Sequence, residues 1–184
     1  MTGTVLQVIQ KSALLMVLAV AAVPAIAADS AIFDTIKTEF ELQDRDGELV
    51  SLNAFRGTNV LLAFGFTNCP HICPMIAANI ARTIRTAERE AIGIFISVDT
   101  ERDSPAATDN YAKKFDQNMI GLSGTYDQVS LAAKNFDVTF VVTKSEDNYT
   151  VQHTPSIFLI SPTGELLDVF AMNAASAEIA ALMQ

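Results

Sequence analysis

The feature that most constrains the fold of this chain is an apolar run, residues 60–64, which leads directly into the segment holding its two cysteines, Cys69 and Cys73. An unbroken apolar run predicts a strand buried on both faces, which is typical of a parallel or mixed sheet in an α/β protein. In such sheets, functional sites gather at the carboxyl ends of the strands. If a helix begins here, the spacing of four predicts that both sulfur atoms lie on one helix face.

The remainder of the chain alternates between strand and helix patterns. An Asp-Gly pair at residues 46–47 predicts a hairpin turn, and a Ser-Pro pair at 104–105 and a capping-box pattern over 125–128 predict helix starts. The expected strands are two hairpin strands over 39–42 and 48–52 and three further strands near 59–66, 92–98 and 119–122. The expected helices lie over 75–90, over 104–115 and after 125. The chain then continues with extended segments over 138–143 and 149–153, a late hairpin over 156–161 and 165–170, and a short helix over 174–183.

This order of elements predicts an α/β protein with a thioredoxin-like fold, in which a central mixed β-sheet is flanked by helices and preceded by an N-terminal β-hairpin. The central strand that delivers a Cys-x-x-x-Cys pair to a helix, followed by a late hairpin, is the pattern that indicates this fold. Thioredoxin-like folds often place a cis-proline beside the cysteines, so the bond between Thr154 and Pro155 is a candidate for the cis form.

The N-terminus has the features of an export signal. Residues 1–28 carry a single charged side chain, Lys11, and the apolar run over 13–28 is short for a spanning helix, which needs about 20 residues. Small residues at Ala25 and Ala27 fit a secretory cleavage site. We therefore expect residues 1–28 to be a signal peptide, with an uncleaved anchor as the alternative, and residues 29–184 to be one domain in an oxidising compartment.

The charge of the chain narrows the class of partner. Without residues 1–28 the chain keeps 11 of its 12 basic residues and all 21 acidic ones, a net charge of −10. This balance argues against nucleic acid or an anionic membrane surface as a partner. We expect contact with a membrane only through the N-terminal segment, if it is retained.

Two cysteines and one histidine make up a candidate metal-binding set. If His153 lies at the mouth of the late hairpin, thioredoxin-like topology brings it close to Cys69 and Cys73. Soft thiolate sulfur favours Cu(I), and imidazole also suits Cu(II). Zinc is the main competitor, but structural zinc requires four protein ligands.

Other interpretations of the same residues remain open. Cys69 and Cys73 could form a redox-active dithiol, although its usual spacing is Cys-x-x-Cys, or a purely structural disulfide, although so short a loop removes little chain entropy. His153 taken alone could be a structural histidine, and His71 an exposed loop residue.

Three ordered motifs resemble those of the SCO/SenC copper proteins. Residues 67–74, TNCPHICP, are similar to the T-x-C-P-x-x-C-P signature of that family, and residues 97–105, SVDTERDSP, to its S-V-D-x-x-R-D-[ST]-P segment. Residues 151–154, VQHT, followed by FLI at 158–160 and by Gly164, are similar to its late histidine segment. The similarity extends from about Phe40 to the C-terminus.

The resemblance implies a thioredoxin-like domain that faces the periplasm, or is anchored in the cell envelope, or faces the mitochondrial intermembrane space. It implies copper held by Cys69, Cys73 and His153, with Cys69 and Cys73 as a redox disulfide. It implies a copper chaperone rather than an enzyme, and the copper-bearing subunit of cytochrome c oxidase, or another periplasmic copper or thiol protein, as partner. The alternative function is a periplasmic thiol-disulfide oxidoreductase. A peroxidase is disfavoured, because no P-x-x-x-T-x-x-C signature is present.

The sequence departs from the family pattern around the candidate ligands. Gln152 precedes the histidine where the family often has an acidic residue, and His71 lies between the cysteines where it often has Asp. Asp99 and Asp103, at the end of a predicted strand, could support the site or a partner, or could form an ion pair or helix cap with Arg102.

Overall fold

The structure is a computed structural model that describes residues 35–184 of the chain. The predicted signal peptide and its cleavage site lie outside the described residues. Within residues 35–184, no helix is both long enough and apolar enough to cross a membrane.

The described residues form nine strands and four α-helices. The strands are β1 (Glu41–Gln43), β2 (Leu49–Ser51), β3 (Asn59–Gly65), β4 (Ala91–Ser97), β5 (Met119–Leu122), β6 (Phe140–Lys144), β7 (Tyr149–His153), β8 (Ser156–Ile160) and β9 (Leu166–Ala171). The helices are α1 (Ile72–Thr86), α2 (Pro105–Ala112), α3 (Tyr126–Asn135) and α4 (Ser176–Ala181), and a 3-10 turn spans Leu52–Phe55.

Five strands form the central sheet, in the order β5-β4-β3-β8-β9. Strands β3, β4 and β5 run parallel, whereas β8 pairs antiparallel with both β3 and β9. All seven residues of β3 are buried. Leu61 and Ala63 pack into one hydrophobic core with α1, while Leu62 and Phe64 pack into a second core with α3 on the opposite face. This mixed sheet with helices on both faces confirms the predicted α/β, thioredoxin-like architecture.

Two small hairpins lie outside the central sheet. The predicted N-terminal hairpin is confirmed as β1 and β2, and Gly47 adopts the left-handed conformation (φ 83°) that its turn requires. Strands β6 and β7 pair antiparallel as a second two-stranded sheet. The sequence predicted both segments as extended but gave no sign that they leave the central sheet.

Helix starts were predicted more accurately than helix ends. Ser104 Oγ accepts a hydrogen bond from the Ala107 N–H at 3.2 Å at the start of α2, and the capping box at the start of α3 is present as predicted. Helix α1 begins at Ile72, three residues before the predicted Met75, since Pro74 is tolerated within a first turn. It ends at Thr86, four residues before the predicted Glu90. Helix α2 ends at Ala112, short of the predicted residue 115.

The cis-proline expectation was wrong. Among the described residues no peptide bond is cis, so Pro155 follows Thr154 through a trans bond. The trans isomer is the favoured form of an X-Pro bond, and the predicted exception depended on analogy with the fold.

Candidate metal centre

The two cysteines lie in different local structures at the end of β3. Cys69 is part of the turn that precedes α1, where its N–H donates to the Phe66 carbonyl at 3.3 Å, and it is half-exposed. Cys73 is the second residue of α1 and is fully buried. The condition under which both sulfur atoms would share one helix face is therefore not met, because the chain becomes helical only at Ile72, after Cys69.

The Cys69 sulfur is held at the helix start by the backbone of Cys73. The Cys73 N–H donates to Cys69 Sγ at 3.3 Å, so the sulfur accepts from one of the N–H groups that a helix start leaves without an internal partner. His71 is the N-cap residue of α1, but its side chain makes no capping hydrogen bond within the described residues. In this structure a thiol sulfur occupies the place where a Ser or Asp oxygen is usual.

Gly65, the last residue of β3, makes room for the Cys73 sulfur. A Cβ at this position would lie 2.6 Å from the Phe95 ring and 3.1 Å from Cys73 Sγ. Any larger side chain would therefore displace either the ring or the sulfur. The absence of a side chain at Gly65 lets Cys73 pack directly against the end of the central strand.

His153, the last residue of β7, reaches the buried cysteine. Its Nε2 lies 3.3 Å from Cys73 Sγ, and its Nδ1 lies 3.1 Å from the Thr154 carbonyl oxygen. Because a carbonyl oxygen can only accept, Nδ1 carries the proton, and the unprotonated Nε2 is the nitrogen in contact with the sulfur. The Phe66 ring packs edge-on against the imidazole at 6.1 Å between ring centroids.

Burial and hydrogen bonding make the two thiols different from each other. Burial opposes ionisation of Cys69, but the hydrogen bonds it accepts from the Cys73 thiol and from the N–H groups of Cys73, His71 and Ile72 outweigh it and lower its pKa. Burial strongly raises the pKa of Cys73, and its hydrogen bond to Cys69 raises it further. Burial also lowers the pKa of His153, although the bond to Thr154 opposes this shift. The site thus holds a thiolate-prone Cys69, a protonated Cys73 and a neutral imidazole.

The contacts among these three residues form a chain instead of a closed cluster. Cys73 contacts both Cys69 and His153, and both cysteines are free thiols. Within residues 35–184, no three His, Cys, Asp or Glu side chains are already arranged around one metal position. Coordination by all three residues would therefore need a reorientation of their side chains.

A cavity of about 320 Å³ opens beside Cys69 and His153, whereas the buried Cys73 does not line it. The exposed His71 borders it, as do Cys69 and His153, but the other lining is largely apolar. The lining residues are Phe66, Cys69, Pro70, His71, Ile72, Val151, Gln152, His153 and Pro155. Access to the candidate ligands from solvent is therefore through an apolar opening that one imidazole borders.

Asp99 and Asp103 are both buried and lie in the loop after β4. Asp99 forms the ion pair with Arg102 that the sequence left as one alternative, and it also accepts a hydrogen bond from the Tyr149 hydroxyl at 2.6 Å. Asp103 accepts from the Thr67 N–H at 2.7 Å, and from the Thr67 hydroxyl at 2.6 Å. The ion-pair alternative is therefore confirmed for Asp99, whereas Asp103 supports the loop that leads to Cys69.

Sequence reasoning missed Tyr149 and Thr67 as supporting residues. A period of two in β7 could have placed Tyr149, Val151 and His153 on one face, and the structure half-buries these three and exposes the two residues between them. Nothing local could have paired Tyr149 with Asp99, which lies 50 residues away.

Comparison with protein-family models gives one match, to SCO1/SenC, over residues 28–184. Among curated proteins, the chain is similar to the human protein SCO1 homolog, mitochondrial, with 36% identity over 149 residues, which is 77% of this chain and 50% of that protein. It is also similar to an SCO2-like protein of Rickettsia typhi, with 32% identity over 146 residues, 76% of this chain and 72% of that protein. The chain thus spans only half the length of its human relative.

Solved structures are similar in fold as well as in sequence. The crystal structure of Arabidopsis thaliana ScoI with copper bound superimposes with a TM-score of 0.69 at 32% identity, covering 78% of this chain and 92% of that one. BsSco, described as a disulfide-switch member of the Sco family of cytochrome c oxidase assembly proteins, superimposes with a TM-score of 0.61 at 29% identity, covering 78% and 88%.

Proposed function

This chain belongs to the SCO1/SenC family, and on that premise we propose that it is a copper metallochaperone. It binds copper through Cys69, Cys73 and His153, and delivers it to, or matures, the binuclear copper centre of cytochrome c oxidase. A related structure holds copper, and another relative is described as a cytochrome c oxidase assembly protein. Both descriptions support the proposal for this chain.

The observation that carries the proposal is the contact between Cys73 Sγ and His153 Nε2 at 3.3 Å. Since Nδ1 donates to the Thr154 carbonyl, Nε2 is the nitrogen that is free to bind a metal. Metal-binding histidines typically donate their second ring N–H to such a carbonyl, which fixes the ring and its tautomer. Two sulfur donors and this nitrogen form a set that suits copper in either valence.

The different pKa values of the thiols suggest an order of binding. The half-exposed Cys69, whose pKa is lowered, is ready to bind Cu(I) as a thiolate. The buried Cys73 gives up its proton only when the metal arrives, because coordination stabilises the thiolate. Loading therefore releases protons to solvent, and His153 completes the set as a neutral ligand.

Copper and a disulfide compete for the same two sulfur atoms. Oxidation of Cys69 and Cys73 to a disulfide removes two electrons and two protons and consumes both sulfur ligands. Copper that binds only the dithiol form stabilises that form by about 1.4 kcal/mol for each tenfold excess of free copper over its dissociation constant. For a two-electron couple this raises the midpoint potential by about 30 mV per tenfold.

A thiol-trapping redox titration at several buffered Cu(I) activities, without oxygen, tests the function. We expect the midpoint of the Cys69–Cys73 couple to rise as Cu(I) is raised. The oxidised protein should also take up almost no copper until reductant is added. Titrations in the same buffer without copper provide the control. A midpoint that stays constant across all Cu(I) activities would reject the metallochaperone mechanism.

The second candidate function is a thiol-disulfide oxidoreductase that reduces cysteines of a partner. The observation that favours it is the asymmetry of the thiols, since a half-exposed, thiolate-prone Cys69 beside a buried Cys73 resembles an attacking and a resolving cysteine. This function does not need His153, and it predicts the constant midpoint described above.

We propose that the domain works outside the cytoplasm, in the periplasm or at the cell envelope. The predicted signal peptide, residues 1–28, supports this location, and the family match that begins at residue 28 supports the boundary. A sequenced N-terminus of the protein isolated from the envelope would test it, with Ala28 or Asp29 as the expected first residue.

A further inference from the structure

The hairpin that carries His153 has no strand partner in the central sheet. Within residues 35–184, β6 and β7 pair only with each other. Phe140 and Val151 pack against the cores, but no residue of either strand is fully buried. The position of His153 therefore depends strongly on the side-chain contacts that attach the hairpin to the rest of the molecule.

A buried carboxylate attaches the hairpin at the start of β7. The Tyr149 hydroxyl donates to Asp99 Oδ1 at 2.6 Å, and Asp99 is completely shielded from solvent. Arg102 pairs with the other oxygen of Asp99, and its guanidinium lies 3.8 Å from the centroid of the Tyr149 ring. We call Asp99, Arg102 and Tyr149 the clamp. An outer ion pair, Lys144 to Glu101, is exposed and therefore adds little.

The clamp and the metal ligand lie on the same face of one strand. Tyr149, Val151 and His153 alternate with the exposed Thr150 and Gln152. Four residues of strand span about 13 Å, and a strand changes its direction little over that length. Fixing the Tyr149 ring and hydroxyl therefore restricts where the imidazole of His153 can lie.

The same polar network continues to the loop that carries Cys69. The Asp99 N–H donates to Ser97 Oγ at 3.2 Å, and the Ser97 hydroxyl donates to Asp103 Oδ2 at 2.6 Å. Asp103 in turn accepts the two hydrogen bonds from Thr67, which lies two residues before Cys69. Hydrogen bonds thus connect the His153 hairpin to the cysteine loop through the loop after β4.

From these contacts we infer that the clamp positions His153 for copper, and that Asp99 is its central residue. This inference rests on the proposed function, since it assigns a role to residues that act on a proposed ligand from a distance. These three residues are positioning residues. They contact one another and hold the start of β7, but none of them has a contact with Cys69, Cys73 or His153 in the hydrogen bonds and ion pairs of the described residues. Loss of the clamp should leave the thiol pair intact while it weakens the contribution of His153.

Tyr149→Phe and Tyr126→Phe make a matched pair of test variants. Tyr149→Phe removes the hydroxyl bonded to Asp99 but keeps the ring beneath Arg102. Tyr126→Phe removes the hydroxyl of an exposed tyrosine whose ring packs on Phe140 of the same hairpin, and that hydroxyl has no partner within the described residues. Each variant loses one hydroxyl oxygen from a tyrosine ring, and the ring either belongs to the hairpin or packs on it. The difference between the two variants therefore isolates the hydrogen bond to Asp99.

Copper affinity of the reduced full-length protein is the first measurement, by competition with a chromophoric chelator. We expect Tyr149→Phe to weaken Cu(II) binding about three- to tenfold and Asp99→Asn about ten- to hundredfold, as is typical for residues that orient metal ligands. The loss from Tyr149→Phe should be smaller in the Asp99→Asn background than in the unchanged protein, because the neutral amide at position 99 accepts the Tyr149 hydroxyl more weakly than the carboxylate does. Tyr126→Phe should bind as the unchanged protein does. The copper-free Cys69–Cys73 midpoint should be the same in all four variants.

Hydrogen exchange of the copper-free protein is the second measurement and does not depend on the proposed function. We expect amides of β7 to exchange at least threefold faster in Tyr149→Phe, while those of β3 keep their rates and Tyr126→Phe changes neither. If the unchanged protein binds no copper, the proposed function fails, and this measurement alone decides whether the clamp holds the hairpin.

Three outcomes would overturn the inference. One is an exchange rate in β7 of Tyr149→Phe that equals that of the unchanged protein, and another is a Tyr149→Phe variant whose copper affinity and spectrum match those of the unchanged protein. A loss of global stability that accounts for the affinity change would also overturn it.

Discussion

The cysteines are attached to the central sheet, whereas the histidine is attached to a two-stranded hairpin beside it. All seven residues of β3 are buried, and α1, which carries Cys73, has eight buried residues. In β6 and β7, by contrast, every residue is half-buried or exposed. The comparison suggests that apolar packing fixes the thiol half of the site, while the histidine half depends mainly on the polar clamp. The four predictions that follow test this difference, from the largest expected effect to the smallest.

The first prediction compares core substitutions in the two halves. Ile76→Ala in α1 should lower the free energy of unfolding by about 2–5 kcal/mol, because Ile76 is fully buried and the change leaves a cavity. Val141→Ala in β6 should change it by less than about 1 kcal/mol, since Val141 is 52% exposed. Urea unfolding of the reduced protein measures both. A comparable loss in the two variants would show that the hairpin is part of the same packed core.

The second prediction separates the two halves at the level of the ligands. His153→Ala should weaken Cu(II) binding at least tenfold, about 1.4 kcal/mol, because it removes the only imidazole in contact with Cys73 among the described residues. The midpoint of the Cys69–Cys73 disulfide without copper should not change, since disulfide geometry does not involve the imidazole. Thr150→Ala, at an exposed position of the same strand that does not line the cavity, is the control. Undiminished Cu(II) affinity in His153→Ala would remove this residue from the site.

The third prediction concerns the pH dependence of thiol reactivity within the cysteine half. Alkylation requires the thiolate, so a lowered pKa moves the rise in rate to lower pH. Cys69 should therefore react with iodoacetamide in a phase that begins below the usual pH range of a free thiol. Cys73, whose pKa burial raises, should stay unmodified through the same range. Mass spectrometry of peptides from metal-free, reduced protein locates the label, and equal labelling of both thiols would contradict the structure.

The fourth prediction concerns His71, which borders the cavity but belongs to neither half. His71→Ala should leave the Cu(I) stoichiometry unchanged and slow copper loading by a few-fold, because an exposed imidazole at the opening can bind the incoming ion before the buried donors do. Stopped-flow loading from a weak chelator measures the rate. Identical rates and an identical Cu(II) spectrum in the variant would exclude this role.

The sequence predicted the features that local patterns determine. The apolar run over 60–64 predicted β3 because both faces of that strand are covered. Ser104 and Thr125 predicted helix starts because their side chains bond to nearby backbone N–H groups. The pairing of Cys73 with His153 was expected only through fold topology and resemblance, yet it is present in the structure.

Features that depend on distant contacts could not be predicted in this way. Periodicity indicates that 149–153 is a strand, but it does not show which strand lies beside it, so the separate hairpin was missed. The bond from Tyr149 to Asp99 joins residues 50 positions apart. The placement of Cys69 outside α1 depends on where the helix begins, and helix boundaries follow from the tertiary environment as well as from local preference.

The order of the ligands along the chain also affects how the protein is made. His153 follows Cys73 by 80 residues, and β8, which completes the pairing of β3, follows later still. At roughly 5–20 residues per second, the ribosome adds the two cysteines about 4–16 s before it adds the histidine. During that interval a nascent chain can form a disulfide but cannot assemble the three-residue site. Newly made molecules that meet an oxidant early would therefore have to be reduced before their first load of copper.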